Sequence, residues 1–300
     1  MNINDYQFKD RLIKGVSENG NFKISVVKTT KVVKAAKEKH NLSLLNTVIL
    51  GRALTAVMLL ASELKGEERI QLRMDGSGPI GFLVAEANQV GEIRGYVKNS
   101  KAELNYSDSE THLGQGLGLG ILTFSKVLYN EAEPRVSTIE LVKGDVTSDV
   151  AHFLAQSEQV PSAVLLDVGV DDRGEVNEAG GLLVQRLPGA AEGEIERLQK
   201  RLSAFPPISG LLNNGQYIDE IMNTALAPAS VKELNRQPVD FFCRCTRKRF
   251  LNALSMLSMD DLKDMKGEGQ EVVCHYCNKK EFISKEEVAK IITETQAKMN

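Results

Sequence analysis

The placement of its four cysteines constrains this chain more than any other feature. All four lie within 35 of its 300 residues, as a C-R-C pair at 243–245 and a C-H-Y-C pair at 274–277, with 28 residues between the pairs. Four thiolates in two close pairs are the ligand set of a closed tetrahedral zinc site. The spacing therefore predicts one Zn²⁺ held by four side chains, which are Cys243, Cys245, Cys274 and Cys277.

Two other ligand arrangements fit this pattern less well. Iron–sulfur sites usually place three cysteines in a tight run with a distant fourth, whereas this chain has a symmetric two-plus-two. His275 could replace a cysteine as a ligand, but four cysteines already complete the shell. We therefore expect His275 to lie beside the site.

Basic residues flank both cysteine pairs. Near the first pair these are Arg244, Arg247, Lys248 and Arg249, and after the second pair they are Lys279 and Lys280. Cations at this position would lower the thiolate pKa and favour metal binding. A solvated basic surface explains the same residues equally well.

The spacing also predicts how such a site would respond to oxidation. Zinc would tie the whole intervening segment into the fold, and structural zinc supplies about 10–16 kcal/mol of apparent folding free energy. The easiest disulfides are the local ones, Cys243–Cys245 and Cys274–Cys277, and such short loops do not join the two halves. Oxidation is therefore expected to expel the metal and to release the segment between the pairs.

Composition excludes several classes of protein. A net charge of −3 is not the footprint of a general nucleic-acid binder, and 42% hydrophobic residues suffice for one large or two to three small domains. Free cysteines in metal-like pairs, with a polar N-terminal stretch that has no apolar signal core, predict a reducing cytoplasm.

The apolar stretch 44–62 is long enough to span a membrane, but Arg52 at its centre would cost about 2.5–3.5 kcal/mol there. We expect a buried core helix and no membrane.

Hydrophobic periodicity predicts an α+β fold. Alternating strands at 22–28, 70–74, 80–84 and 93–97 are joined by short turns, which is typical of an antiparallel sheet, and helices are predicted at 31–40, 44–62 and 148–156. The apolar stretches 136–142, 164–170 and 181–187 are expected to add strands to the same sheet. The glycine-rich stretch 114–120 lacks both the Rossmann spacing and a P-loop lysine, so it predicts tight packing and no nucleotide site.

The pattern changes after Pro188. Helical spacing returns around Ile195 and Ile221, which predicts a helical linker region between the core and the metal module. Within the module, Ser258 and Ser284 are expected to cap two helices. The predicted domains are an N-terminal sheet-and-helix core at 1–187, a helical linker region at 188–235 and a redox-sensing zinc module at 236–300.

No enzyme signature is evident. The sequence has no H-E-x-x-H, G-x-S-x-G or P-loop, and its histidines (His40, His112, His152 and His275) are scattered. The C-x-x-C at 274–277 lacks the strand and helix of a thioredoxin-like unit, so a thiol oxidoreductase is disfavoured. We expect no catalytic residues.

The chain resembles the bacterial 33-kilodalton heat-shock chaperones, a family of redox-regulated holdases. The resemblance rests on the spaced C-R-C and C-H-Y-C pairs, and on GRALTAVMLLASELKG at 51–66, DGSGPIGFLVAEA at 75–87 and SEQVPSAV at 157–164. It implies a cytoplasmic chaperone that is zinc-bound and inactive when reduced. Oxidation would form Cys243–Cys245 and Cys274–Cys277, release zinc and unfold the C-terminal module. The active protein would be a homodimer that holds unfolding client proteins without nucleotide.

The sequence leaves the client surface open. One hypothesis is that apolar residues of the module pack against the core when zinc is bound, and the other is that they form only the core of the module itself. The residues in question are Phe250, Leu251, Leu254, Leu257, Leu262 and Met265.

A zinc-ribbon nucleic-acid-binding protein is the competing interpretation. Ribbons usually pair C-x-x-C with C-x-x-C over about 15–20 residues, whereas this chain has C-x-C and a gap of 28. From residue 236 onward, 12 basic and 10 acidic residues nearly cancel. We therefore expect no nucleic-acid partner.

Overall fold

The structure is a computed structural model that describes residues 9–105, 112–129, 131, 133–191, 193–265 and 269–299. The chain divides into two compact units, an N-terminal unit, Met1–Phe242, and a C-terminal unit, Cys243–Asn300. The fold is α+β, as predicted. The three-part division at 187/188 and 235/236 remains a prediction about which segments behave as domains.

The N-terminal unit contains two sheets and six helices in the part of the chain that the structure describes. Its strands, β1 to β11 in chain order, are Arg11–Ser17, Phe22–Lys28, Arg69–Gly76, Phe82–Asn88, Glu92–Val97, Gly120–Val127, Arg135–Glu140, Ser162–Val170, Val176–Arg186, Val231–Pro238 and Asp240–Phe241. Its helices, α1 to α6, are Thr30–His40, Leu44–Ala61, Thr147–Gln156, Glu194–Leu202, Ile208–Asn213 and Ile218–Leu226. A short 3₁₀ turn covers Leu113–Gly116.

The strands form two sheets, so the prediction of one sheet was wrong. One has the order β10-β1-β2-β9-β8 and the other β11-β5-β4-β3-β6-β7. All pairs are antiparallel except the two-residue β11–β5 pair. The strands predicted at 164–170 and 181–187 pair with each other and with β2, away from β3 to β5. Alternation tells which face of a strand is buried, but it does not specify which strand lies beside it.

Helix α2 is the centre of the N-terminal unit. It contacts strands of both sheets, and it begins where the Ser43 hydroxyl accepts a hydrogen bond from the Asn46 backbone N–H. Among the described residues α2 is the one helix long and apolar enough to cross a membrane, and 83% of it is buried within the protein. Two of its polar side chains find partners there, because the Thr55 hydroxyl lies 2.7 Å from that of Thr29 and the Asn46 amide donates to the Asn99 carbonyl. It is therefore a core helix, as predicted.

Helices α4 to α6 cover the other face of the first sheet. Their apolar side chains, including Ile195 and Ile221, join one buried cluster with Ile13 of β1 and Ile24 of β2. The chain then returns as β10 and pairs with β1. Neither β1 nor β10 was predicted, and β10 is an edge strand that is mostly exposed and therefore lacks a buried alternation.

The glycines of the stretch 114–120 sit at close backbone contacts, as predicted. A side chain at Gly114 would collide with the Lys143 carbonyl, and one at Gly120 would collide with the Asp75 carbonyl. These positions accept only glycine because another backbone approaches too closely for a Cβ atom.

The C-terminal unit contains a two-stranded hairpin and three helices among its described residues. These are α7 (Arg247–Leu254), α8 (Met259–Asp264), β12 (Gln270–Val273), β13 (Lys280–Ile283) and α9 (Lys285–Met299). The predicted caps are confirmed: the Ser258 hydroxyl accepts from the Asp261 N–H, while Ser284 and Glu287 form a reciprocal capping box. Six buried side chains form the core of this unit, and they are Leu254, Leu262, Ile283, Val288, Ile291 and Ile292.

Candidate metal centre

Cys243 and Cys245 lie in an extended segment between β11 and α7. The segment ends at Thr246, whose hydroxyl accepts a hydrogen bond from the Arg249 N–H and so fixes the first turn of α7. This cap was not predicted, although a threonine just before a helical apolar stripe is its usual signal. With one residue between them, the two cysteines enter the site from the same piece of extended chain.

Cys274 and Cys277 lie at the tip of the β12–β13 hairpin. The Cys274 N–H donates to the Lys279 carbonyl at 2.9 Å, and the Asn278 N–H donates to the Cys274 carbonyl at 2.8 Å. Asn278 adopts a left-handed conformation with φ of 55°, which asparagine tolerates better than most residues. The C-x-x-C turn is thus held by the hairpin and by its own backbone hydrogen bonds.

The structure brings the four predicted sulfur atoms together. All four Sγ atoms lie within 4.8 Å of one another, with Cys243 to Cys274 at 3.7 Å and Cys245 to Cys277 at 3.3 Å. These separations are far longer than the about 2.05 Å of a disulfide, so no disulfide joins the four cysteines. Both of these contacts join the C-R-C segment to the hairpin.

This geometry fits a tetrahedral metal ion. With zinc–sulfur bonds of about 2.3 Å, a tetrahedral site separates its sulfurs by about 3.8 Å. The observed separations bracket that value, and all four cysteines are half-buried. Four sulfur donors without oxygen ligands favour zinc or an iron–sulfur centre over magnesium or calcium. Among the described residues the converging group consists of the four cysteines, and His275 is not part of it.

The surroundings disfavour the charged form of these thiols. Burial raises the pKa of the Cys277 thiol to about 11, and it also raises the pKa of Cys245 and of Cys274. Backbone N–H groups oppose this rise: those of Cys277 and Tyr276 donate to Cys274, and that of Lys279 donates to Cys277. Hydrogen bonds alone do not make four adjacent thiolates at neutral pH, so a bound cation would be needed to hold all four in the charged form.

Several of the flanking cations are paired with carboxylates. Arg247 bridges Glu281 at 3.0 Å and Glu287 at 2.6 Å, and it donates to the Phe282 carbonyl. Lys279 pairs with Glu281 at 2.7 Å, and this pairing raises the lysine pKa. Arg247 therefore joins α7 to the hairpin and α9, which is a structural role. Cations used in this way offer less charge to phosphate groups, which weakens the nucleic-acid interpretation.

Four of the six apolar residues considered for client binding contribute to the core of the C-terminal unit. Leu254 and Leu262 are buried in it, and Leu251 and Met265 pack against it. Leu257 is 37% exposed. Leu251, Leu254, Leu262 and Met265 thus have a packing role within this unit, and that packing would be lost if the unit unfolded.

The chain is similar to several known proteins. Residues 10–284 match the Hsp33 protein family. A 33 kDa chaperonin of Streptococcus thermophilus is 36% identical over 288 residues, covering 95% of this chain and all of the relative. The 33 kDa chaperonin of Thermus thermophilus is 39% identical over 300 residues, covering 95% and 87%. The crystal structure of the 33 kDa chaperonin (heat shock protein 33 homolog) from Thermotoga maritima superposes with a TM-score of 0.88 at 31% identity, covering 96% of this chain and 99% of that one.

Proposed function

The chain belongs to the Hsp33 protein family, a family of chaperones, and on that premise we propose that it is a redox-regulated, ATP-independent holdase switched by its four cysteines. The observation that carries this proposal is the convergence of Cys243, Cys245, Cys274 and Cys277 within 4.8 Å. The reduced protein would hold one Zn²⁺ there and be inactive. The oxidised protein would bind unfolding client proteins.

Zinc, when bound, neutralises the thiolates and ties two parts of the C-terminal unit together. The C-R-C segment supplies two of the ligands and the hairpin supplies the other two, while α7 and α8 lie between them in the chain. The unit has six buried core side chains among its described residues, which is a small core for an independent fold. Its stability would therefore depend on the metal.

Oxidation would proceed on the thiols themselves. With hydrogen peroxide as oxidant, one cysteine sulfur attacks a peroxide oxygen and becomes a sulfenic acid as one water leaves. The neighbouring thiol then displaces the second water and closes the disulfide. Each disulfide thus consumes one peroxide, and two thiols lose two electrons and two protons. We propose Cys243–Cys245 and Cys274–Cys277 as the pairs, because each joins sulfurs on one short piece of chain.

The proposed local pairs compete with pairings between the segment and the hairpin, where the Sγ atoms of Cys243 and Cys274 lie 3.7 Å apart and those of Cys245 and Cys277 lie 3.3 Å apart. The distinction has a mechanical consequence. Bonds between the two parts would replace the tie that the metal provides, whereas local bonds remove the metal and leave the parts unlinked. Only local pairing would free α7, α8 and their apolar side chains for client binding.

We further propose that the active protein is a cytoplasmic homodimer that uses no nucleotide and has no enzymatic activity. The family resemblance supports these statements. The buried position of α2 agrees with a protein that does not insert into membranes.

Zinc content and aggregation suppression, measured on reduced and on peroxide-treated protein, test the proposal. We expect one equivalent of zinc in the reduced protein, its release on oxidation, and a parallel fall in light scattering from a denaturing client. Peptide mapping of the oxidised protein should find the two local disulfides. Zinc that stays bound after complete thiol oxidation, or release of zinc without any suppression, would contradict the switch.

A further inference from the structure

A cavity of about 710 Å³ opens in the N-terminal unit beside the glycine-rich stretch 114–120. Its walls come from Arg52 of α2, from the turn at 112–119 and from the segment 141–145. Cavities of about 300–1,000 Å³ are the usual size for small-molecule sites. The proposed redox switch lies in the other unit and makes no use of this cavity.

Arg52 supplies a positive charge to the cavity. It is the one charged residue in α2, and its Nη1 donates to the Asp145 carbonyl at a long 3.3 Å. Its Nε is buried and has no hydrogen-bond partner, and no carboxylate pairs with it in the described part of the chain. A guanidinium carries five donors, and a buried donor left unmet is costly. An oxyanion in the cavity would accept hydrogen bonds from the guanidinium donors that face it.

Lys143 supplies a second positive charge to the cavity, and the carboxylates of Asp145 and Asp149 already accept hydrogen bonds from other groups. The buried Asp149 carboxylate accepts from the backbone N–H groups of Val142, Lys143 and Val146 at 2.7, 3.0 and 3.2 Å. The Asp145 carboxylate accepts from the backbone and the hydroxyl of Ser148. Lys143 is exposed and forms no ion pair with any residue that the structure describes. Among the described lining residues, the two cations Arg52 and Lys143 thus outnumber the one carboxylate, that of Asp145.

Large apolar side chains stand exposed beside these cations. Leu119 is 82% exposed and Val142 is 56% exposed, and both line the cavity together with Leu113 and Leu141. Exposure of a leucine to this degree forgoes about 1.5–3 kcal/mol of burial. An apolar body in the cavity would cover these side chains.

The walls are rigid. Gly114 and Gly144 are packed so closely against the facing backbone that neither accepts a Cβ atom without a shift. Val146 adopts a positive φ of 68°, a strained conformation for a β-branched residue, and the Asp149 carboxylate accepts a hydrogen bond from its N–H. A cavity with fixed walls needs little ordering when a ligand enters, which favours binding.

We propose that this cavity binds an amphipathic carboxylate, with its oxyanion head between Arg52 and Lys143 and its apolar body against Leu113, Leu119 and Val142. The class includes medium-chain fatty-acid anions. Both parts of the ligand are required, because the cations lie beside an apolar wall and neither feature alone accounts for the cavity.

Calorimetric titration of the full chain, reduced and zinc-loaded, tests this proposal with three probes. Decanoate carries both the head and the apolar body, decanol carries the body alone, and inorganic phosphate is an oxyanion without a body. We expect decanoate to bind one to one and at least tenfold more tightly than either of the other two. Absence of decanoate binding, or decanol or phosphate binding as tightly as decanoate, would overturn it.

Two surface substitutions locate the site without disturbing the fold. Lys143→Glu reverses the charge at the head, and Leu119→Ser removes an exposed apolar side chain, and each should weaken decanoate binding at least tenfold. Matched controls are Lys34→Glu and Leu234→Ser, which change an exposed lysine and a 55%-exposed leucine away from the cavity. Unchanged thermal unfolding would show that each variant is folded. Decanoate affinity that survives both cavity substitutions, or that falls equally in the controls, would refute the assignment.

Discussion

The two units of this chain are stabilised internally in different ways. The N-terminal unit packs two sheets around a helix, α2, of which 15 of 18 residues are buried, and it needs no cross-link. The C-terminal unit has six buried core residues among those described, and four thiols converge beside them. Hydrophobic burial grows with the size of a core, so a small unit needs another source of stability. The comparison indicates why the proposed thiol switch would suit the smaller unit, because that unit could unfold while the N-terminal unit keeps its own core.

Loss of one cysteine ligand should have the largest effect on the C-terminal unit and little effect on the N-terminal unit. Cys274→Ser leaves three thiols for a metal that takes four, so we expect loss of zinc and unfolding of the C-terminal unit while the N-terminal unit stays folded. The free energy at stake is about 10–16 kcal/mol. Limited proteolysis should then yield a stable fragment that ends near Phe242.

Met256→Ser is the matched control for that experiment, since Met256 lies in the same unit and is 85% exposed. It should keep one equivalent of zinc and resist proteolysis. A Cys274→Ser protein that resisted cleavage as well as the control would mean that the small core suffices without the metal.

A substitution that shortens a buried side chain in the N-terminal unit should have the opposite effect, because it destabilises that unit and leaves the metal ligands in place. Leu54 is fully buried in α2, and Leu54→Ala should destabilise the N-terminal unit by about 2–5 kcal/mol. Zinc content should not change, because the ligands lie in the other unit. Denaturant unfolding followed together with zinc release measures both, and Leu44→Ala, at a helix position 46% exposed, is the control. Zinc release at a lower denaturant concentration in Leu54→Ala than in the control would show that the units are not independent.

The sequence predicted the convergence of the four cysteines better than the arrangement of the sheets, for physical reasons. Ligand spacing is a local property, and so are the caps at Ser258 and Ser284 and the burial of α2. The partner of a strand is not local, which is why β8 and β9 were assigned to the wrong sheet and β1 with β10 was missed. For the same reason spacing predicted which cysteines converge but not the contact of 3.7 Å between the Sγ atoms of Cys243 and Cys274. The cavity at Arg52 was also beyond sequence reasoning, because three distant stretches form it.

The two units should also differ in how pH affects them, through stability in the N-terminal unit and through zinc binding in the C-terminal unit. Asp10 is buried, one of its carboxylate oxygens has no hydrogen-bond partner, and burial raises its pKa from 3.8 to about 7. The folded state therefore holds this proton more tightly than the unfolded state. The resulting stabilisation is complete below about pH 4 and is lost as the pH rises through 7. Zinc binding has the opposite dependence, since acid protonates the thiols.

Asp10→Asn tests the first half of that contrast. Asparagine keeps an oxygen to accept the Val32 N–H but cannot ionise. We expect it to stabilise the N-terminal unit at pH 8 by about 1–4 kcal/mol and to flatten its stability between pH 5 and 8. Asp240→Asn, at an exposed position in the same unit, is the control. Thermal unfolding across this range is the measurement, and an unchanged pH profile in Asp10→Asn would show that Asp10 is ionised throughout.

The smallest effect concerns the cap of α9. The Ser284 hydroxyl accepts from the Glu287 N–H, and the Glu287 carboxylate accepts from the Ser284 N–H and from Arg247. Ser284→Ala should cost about 1 kcal/mol of helix stability. If folding of the small unit and metal binding are one process, that cost appears as a roughly fivefold loss of zinc affinity. Thr293→Ala removes an exposed hydroxyl from the same helix and should leave the affinity unchanged, as measured by competition with a chelator. Equal affinities in the two variants would mean that the unit is folded before the metal binds, and that its stability does not depend on the four thiols.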